Sequence, residues 1–192
     1  NNYDVVPTSG SLAETIVWET TNDLVPSPGE EFAFILHQRE NVARAGHALG
    51  RFRLSYTTDP RDSFADSVPR RGDVEADWSL IAPRAVVSTD GATFDRLADG
   101  SLLRAPGSTC RPVYTVLAEI TPAAPITGFR LEALQHPSLP FAGPGLEWSN
   151  GNFHLSEFQV SVGAFDLADF DELADFGAGS PPAPVPLPAA AP

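Results

Sequence analysis

Trp148, Asn150 and Asn152 fall together in a loop rich in Gly and Pro. An aromatic ring beside planar hydrogen-bonding side chains is a combination that holds a sugar. The ring covers the apolar face of the sugar, and the amides meet its hydroxyls. Arg130 and Glu132, on the strand-like run before the loop, would extend such a face. The competing reading makes Trp148 a cap on the core and Asn150-Gly151 an ordinary turn.

Other chemistry is weaker in this sequence. Glu132 and Glu157 lie on runs that read as neighbouring strands, and two carboxylates roughly 5–9 Å apart serve glycoside hydrolysis. Glu132, however, follows Arg130 by two residues, so the two share a strand face and an ion pair is the simpler account. His37, His47, His136 and His154 are scattered, without a zinc-type spacing, and read as surface or edge-strand residues. Cys110 has no His near it in sequence, no G-x-S-x-G occurs, and the lone thiol reads as a small buried apolar residue. Asp166, Asp169, Asp171, Glu172 and Asp175 form an acidic run without the Gly of a calcium-binding helix–loop motif. The expectation is therefore no enzyme, no metal ligands and no cofactor, with structural calcium the one exception the acidic run leaves open.

The elements that must position these residues read as strands. TIVWET (15–20) and EFAFILHQ (31–38) are β-branched and aromatic. Phe32, Phe34 and Leu36 share one face. In residues 49–58, Phe52, Leu54 and Tyr56 alternate with Arg51, Arg53 and Ser55. Residues 85–89 and 92–97 read as a hairpin around Asp90-Gly91, and Asp99-Gly100 as a second turn of that kind. Residues 113–120 and 128–134 are further strands. Along 152–162 the apolar phase changes, and a bulge near Ser156-Glu157 would restore one apolar face. Phe52-Arg53-Leu54 is echoed by Phe129-Arg130-Leu131, hinting at two related strands.

The remaining segments are of other kinds. Residues 59–76 are a long charged connection, a candidate sub-boundary within a β-sandwich spanning 1–163. Residues 164–176 place Leu167, Phe170, Leu173 and Phe176 at helical spacing and read as a short acidic amphipathic helix. Residues 177–192 hold six Pro and read as a polyproline spacer or an extended ligand strand.

Composition narrows the partners. The formal net charge is −13, and all twelve basic residues are Arg. A chain this acidic lacks the basic face that a phosphate backbone or an anionic membrane surface requires. No run of about 18 apolar residues suggests a membrane span. The start, Asn1-Asn2-Tyr3, resembles that of a processed mature chain.

Two stretches resemble known families. Residues 78–162 carry Asp99-Gly100-Ser101, Tyr114-Thr115-Val116, Ile126-Thr127 before Arg130-Leu131-Glu132, Pro137-Ser138-Leu139-Pro140, Gly143-Pro144-Gly145, Asn150-Gly151-Asn152-Phe153 and Leu155-Ser156-Glu157. This order resembles an accessory β module of large planctomycete surface and periplasmic proteins. Gly50-Arg51-Phe52-Arg53-Leu54-Ser55 resembles a strand from the end of a discoidin-like unit in the same proteins, in an order permuted or truncated here. The resemblance implies a galactose-binding-like jelly roll that binds or scaffolds outside the cytoplasm, and it names no ligand. Val185-Pro186-Leu187-Pro188-Ala189 is similar to the start of an exosortase-type (PEP-CTERM-like) sorting signal, without the apolar span and basic cluster that follow in that family. It implies secretion with transient anchoring, then release or surface display.

The expectation is an all-β, jelly-roll-like sandwich with a short acidic helix and a Pro-rich tail. Its function would be that of a secreted or cell-surface module, the periplasm being an alternative site, that binds surface polysaccharide or another extracellular protein. The alternative is a structural subunit of an extracellular assembly, or an accessory subunit of a larger periplasmic complex. In that case residues 164–192 or 1–12 would pair with a neighbouring subunit's open sheet edge.

Overall fold

The computed structural model describes residues 3–4, 12–38, 46–61, 76–107, 111–165 and 185–186 of the chain. Its strands are β1 (Tyr3–Asp4), β2 (Glu14–Leu24), β3 (Glu31–His37), β4 (Arg51–Thr57), β5 (Ser79–Leu80), β6 (Ala85–Ser88), β7 (Phe94–Arg96), β8 (Leu102–Arg104), β9 (Val113–Ala118), β10 (Ile126–Ala133), β11 (His154–Leu155), β12 (Glu157–Gly163) and β13 (Val185–Pro186). The first sheet runs β2-β10-β4-β8-β7, with β5 also on β4. The second runs β12-β3-β9-β6-β13, and β1 pairs with β11. Every pairing is antiparallel. Strands from before and after residues 59–76 are interleaved in both large sheets.

One apolar core lies between the two sheets, making an all-β sandwich. Alternation along each strand supplies it. Phe32, Phe34 and Leu36 of β3 are fully buried, as are Phe52 of β4 and Leu131 of β10. The rings pack across the gap. Phe129 meets Phe32 and Phe34 edge-on at 6.0 and 5.3 Å, Tyr114 stacks on Phe52 at 5.9 Å, and Trp18 stacks on Phe158 at 4.1 Å. Each such pair adds about 0.5–1.5 kcal/mol beyond the area it buries. The two echoed runs are neighbours in the first sheet, where Leu54 opposes Leu131 and Tyr56 opposes Phe129.

The expected phase change is present. Strand order breaks at Ser156, whose amide and hydroxyl both donate to the His37 carbonyl at 2.8 Å. Before the break Phe153 and Leu155 are buried, and after it Phe158 and Val160 pack on the same core. The extra residue lets the chain change partners from β1 to β3 without turning its apolar side outward.

Three expectations are corrected. Residues 85–89 and 92–97 form no hairpin: β6 belongs to the second sheet and β7 to the first. The Gly91 amide does close a turn onto the Ser88 carbonyl, with Gly91 at φ +77°, but Asp90 keeps a negative φ. A type I′ turn needs positive φ at both central residues, and without it the strands splay. Asp99-Gly100 makes a different hairpin from the one expected. Leu97 and Ser101 close it, with Gly100 alone at φ +79°, the three-residue pattern with a glycine bulge. Two histidines expected near the surface are buried, His37 at 8% exposed and His154 at 4%, although each alternates with core residues, Leu36 in one case and Phe153 and Leu155 in the other, and so lies on the opposite face of its strand. Strands β1 and β13 pair with β11 and β6. Cys110, the acidic run from Asp166 onward and most of the tail lie outside the described residues.

One polar group crosses the core. Arg104 of β8 is 3% exposed. It donates to both carboxylate oxygens of Asp90 at 3.0 and 2.9 Å and to the Tyr114 hydroxyl at 3.2 Å. Tyr114 in turn donates to the Leu49 carbonyl at 3.0 Å. Burial opposes ionisation of Asp90, but Arg104, the Ser88 hydroxyl and the Ala92 amide outweigh it and hold the carboxyl below its usual range. Burial also pushes the Tyr114 hydroxyl well above its usual value, so it stays a neutral donor.

Removing the Asp90 charge strands the Arg104 guanidinium inside the protein. Asp90→Asn is expected to lower unfolding free energy by about 3 kcal/mol in urea titrations, and adding Arg104→Met to recover much of it. The folded-state carboxyl titrates below its unfolded value of 3.8. Its contribution is therefore complete above that value and is lost as pH falls through the lower, folded one. In wild type the urea midpoint drops on that acid side, and Asp90→Asn should remove this part of the drop.

Candidate functional site

β10 ends at Ala133, and the chain then makes two loops before β11. The first is a tight turn over Pro140–Ala142, where the Ala142 and Gly143 amides return to the carbonyls of Leu139 and Pro140, both at 2.9 Å. Phe141 and Ala142 both adopt φ +53°. Non-glycine residues in this region cost of order 1–3 kcal/mol each. Phe141 is nevertheless 65% exposed, so ring burial does not repay the strain.

The second loop carries Trp148. The Gly145 amide bonds to the Gly151 carbonyl at 2.9 Å, the Glu147 amide to the Asn152 carbonyl at 3.2 Å, and the Gly151 amide to the Glu147 carbonyl at 2.8 Å. Glu147 is buried, and its carboxylate accepts from the Ser149 amide at 2.8 Å and hydroxyl at 2.5 Å. Asn150 Oδ1 accepts the Asn152 amide at 2.9 Å, the turn that an Asn two residues ahead favours. Polar groups thus pin the loop from inside, while Trp148 stands 82% exposed.

The two loops are pressed together. A Cβ on Gly151 would lie 2.3 Å from the Pro140 carbonyl oxygen, and one on Gly145 would lie 1.9 Å from that of Asn152. Only glycine permits these approaches, and Gly151 also needs φ +73°. The base is fastened to the sandwich. Gly50 donates to the Pro144 carbonyl at 2.8 Å, Leu146 to that of Ala48 at 2.9 Å, and Leu49 bridges Gly145.

The residues proposed from sequence separate into two groups. Trp148 and Asn150 lie on the exposed loop, with Asn150's oxygen already used in the turn. Asn152 belongs to the same loop, but only 3% of it is exposed, because the close approach at Gly145 turns it inward. Arg130 and Glu132 stand on the outer face of the first sheet. Glu132 accepts two bonds from Arg53 at 2.7 and 2.8 Å and pairs with Arg130 at 3.2 Å. Arg130 also reaches Ser55 and lies 5.0 Å from the Trp78 ring. Burial pushes the Arg130 guanidinium down, and Glu132 only partly offsets this. Glu157 is on β12 of the second sheet, so it and Glu132 are not strand neighbours. Among the described residues no group of three His, Cys, Asp or Glu side chains is arranged to hold a metal ion. Among them, too, no helix is long and apolar enough to cross a membrane.

Sequence reasoning missed Phe141. Its signal was present, an aromatic between Pro140 and Ala142-Gly143, yet that context reads equally well as a buried turn residue. No protein-family model, curated protein or solved structure matches the chain.

Trp148→Ala should leave the urea midpoint within about 0.5 kcal/mol of wild type, because the ring supports nothing beneath it. Gly151→Ala should cost about 2 kcal/mol or more and make Trp148 fluorescence easier to quench, since both the φ and the Pro140 contact forbid a Cβ.

Proposed function

We propose that this chain is a non-enzymatic binding module that recognises polysaccharide through an exposed aromatic rim at one end of its sandwich. It acts outside the cytoplasm, secreted or at the cell surface. The observation that carries this reading is Trp148, 82% exposed on a loop otherwise closed by its own hydrogen bonds. One exposed ring alone is ordinary, but neighbouring exposed apolar side chains at one end of a sandwich are the kind of surface that serves an interaction. Phe141, 65% exposed on the adjoining loop, supplies a second ring. Its left-handed backbone is the kind of strain that gathers at binding sites.

Stacking on rings suits a sugar, whose C–H face is apolar and whose edge carries hydroxyls. Asn150, beside Trp148, offers the amide that would meet those hydroxyls. Asn152 serves the loop from within, while Arg130 and Glu132 build the outer sheet face. With a net charge of −13, a neutral polysaccharide is the favoured ligand over an anionic one. The jelly-roll assignment belongs to the same proposal. It is supported by the pairing of early with late strands, β2 with β10 and β3 with β12.

A screen against neutral, insoluble and soluble polysaccharides by pull-down and affinity electrophoresis tests the reading. Binding is expected in wild type, with at least about ten-fold loss in Trp148→Ala and a smaller loss in Phe141→Ala, as for removal of a stacked ring. Phe141→Gly is expected to weaken binding while raising stability by up to about 1 kcal/mol, because it relieves the left-handed strain. Retention of binding by the Trp148→Ala, Phe141→Ala double variant would sink the proposal.

A further inference from the structure

The outer edges of the two large sheets are protected unequally. β2, at one edge of the first sheet, carries Glu14, Glu19 and Asp23, and β7, at the other, carries Asp95 and Arg96. β12, at one edge of the second sheet, alternates, with exposed Glu157, Gln159 and Ser161. Charged and polar side chains of this kind, on β12 Glu157 with two uncharged polar residues, discourage an edge from accepting another strand. The remaining edge carries no charge. β6 is Ala-Val-Val-Ser, and all four residues are buried. Val86 faces the main core, while Ala85 packs with Ala33, Leu117 and Phe165 on the other side of the sheet. Among the described residues, β13 lies beyond β6 and pairs Val185 with Val86 and Pro186 with Ala85.

We propose that β6 is a strand-accepting edge kept closed by the chain's own C-terminal strand. When β13 is displaced, the β6 of a second copy pairs on it, antiparallel about a two-fold axis. β13 suits a cover: Pro186 has no N–H, so the strand ends the sheet and does not extend it. It is also a light cover, two residues on a strand of four. Its advantage over a second copy is that it is tethered. An intramolecular strand competes at an effective concentration near the millimolar range, far above that of a free partner. The second copy fits the uncovered edge because residues 85–88 bring no charge, so two chains of net charge −13 meet there without opposing side chains. Such an isologous contact closes on itself as a dimer.

The test uses the full chain with Val185→Pro and, separately, Val185→Asp, each of which opposes strand pairing. Light scattering at about 10–100 µM, well below the tethered concentration, gives the mass. Hydrogen exchange at the outward-facing Val86 amide reports the edge. Wild type should be monomeric with that amide protected. Both variants should lose that protection and double in mass, and an excess of a synthetic peptide of residues 181–190 should restore both properties. Variants that stay monomeric with the edge open, or keep its protection, would overturn the proposal. So would a wild-type dimer that the variants dissolve, since the tail would then pair between copies. Failure of the peptide to restore an open variant also counts against it.

Discussion

The contact on which the rest of this structure leans is the buried hydrogen bond between Arg104 and Tyr114. Arg104 comes from the first sheet and Tyr114 from the second, so the pair ties the two layers through their shared interior. It also reaches further. Arg104 holds Asp90 at the corner where the chain leaves one sheet for the other. Tyr114 holds the carbonyl of Leu49, and Leu49 bridges Gly145 at the foot of the Trp148 loop. A guanidinium in an apolar core is tolerated only when its charge is answered, and here a carboxylate, a hydroxyl and the adjacent ring answer it. Aromatic packing supplies most of the burial, but it has little direction. The polar chain supplies the direction, and it links the core to the candidate site in two steps.

That link explains why the site's loops are well made despite lying at the end of the sandwich. Their backbone polar groups are bonded to one another or to residues 48–50, and their glycines allow contacts that no other residue would. What remains unaccounted for by stability is the pair of exposed rings. The outer face of the first sheet is the opposite case. It carries three arginines, yet Arg51 and Arg53 are engaged by Asp99 and Glu132, and Arg130 by Glu132 and Trp78. Such a surface is largely complete without a ligand. A ring standing in water is not, and this contrast is what supports the loops as the proposed binding surface.

Much of the fold was legible in the sequence. Alternation along 31–38 and 49–58 marked core faces that are indeed buried at Phe32, Phe34, Phe52 and Leu54, because a strand has only two faces and one must be dry. The phase change before Glu157 was legible for the same reason. Less could be read of the candidate site. Trp148 stood out as an exposed-loop aromatic, whereas the sequence could not separate Asn150 from Asn152. Both are asparagines beside Gly151, and their fates differ only because the loop closes against Gly145 and turns one of them inward.

By itself the sequence determined the main strands, their buried faces and the phase break at Ser156, since these follow from local periodicity and from residue types that do or do not tolerate water. It also determined a strongly acidic net charge. Only the tertiary structure decided which strands are neighbours. The Asp90-Gly91 dipeptide is compatible with a hairpin or a corner, and the choice fell to Arg104, fourteen residues away, and to the need of Phe94 for the rings of Phe52 and Tyr114. Tertiary structure likewise brought Phe141 out beside the Trp148 loop, and laid the tail strand on β6 rather than leaving it free. These outcomes rest on contacts between residues far apart in the chain, whose energies no local pattern carries.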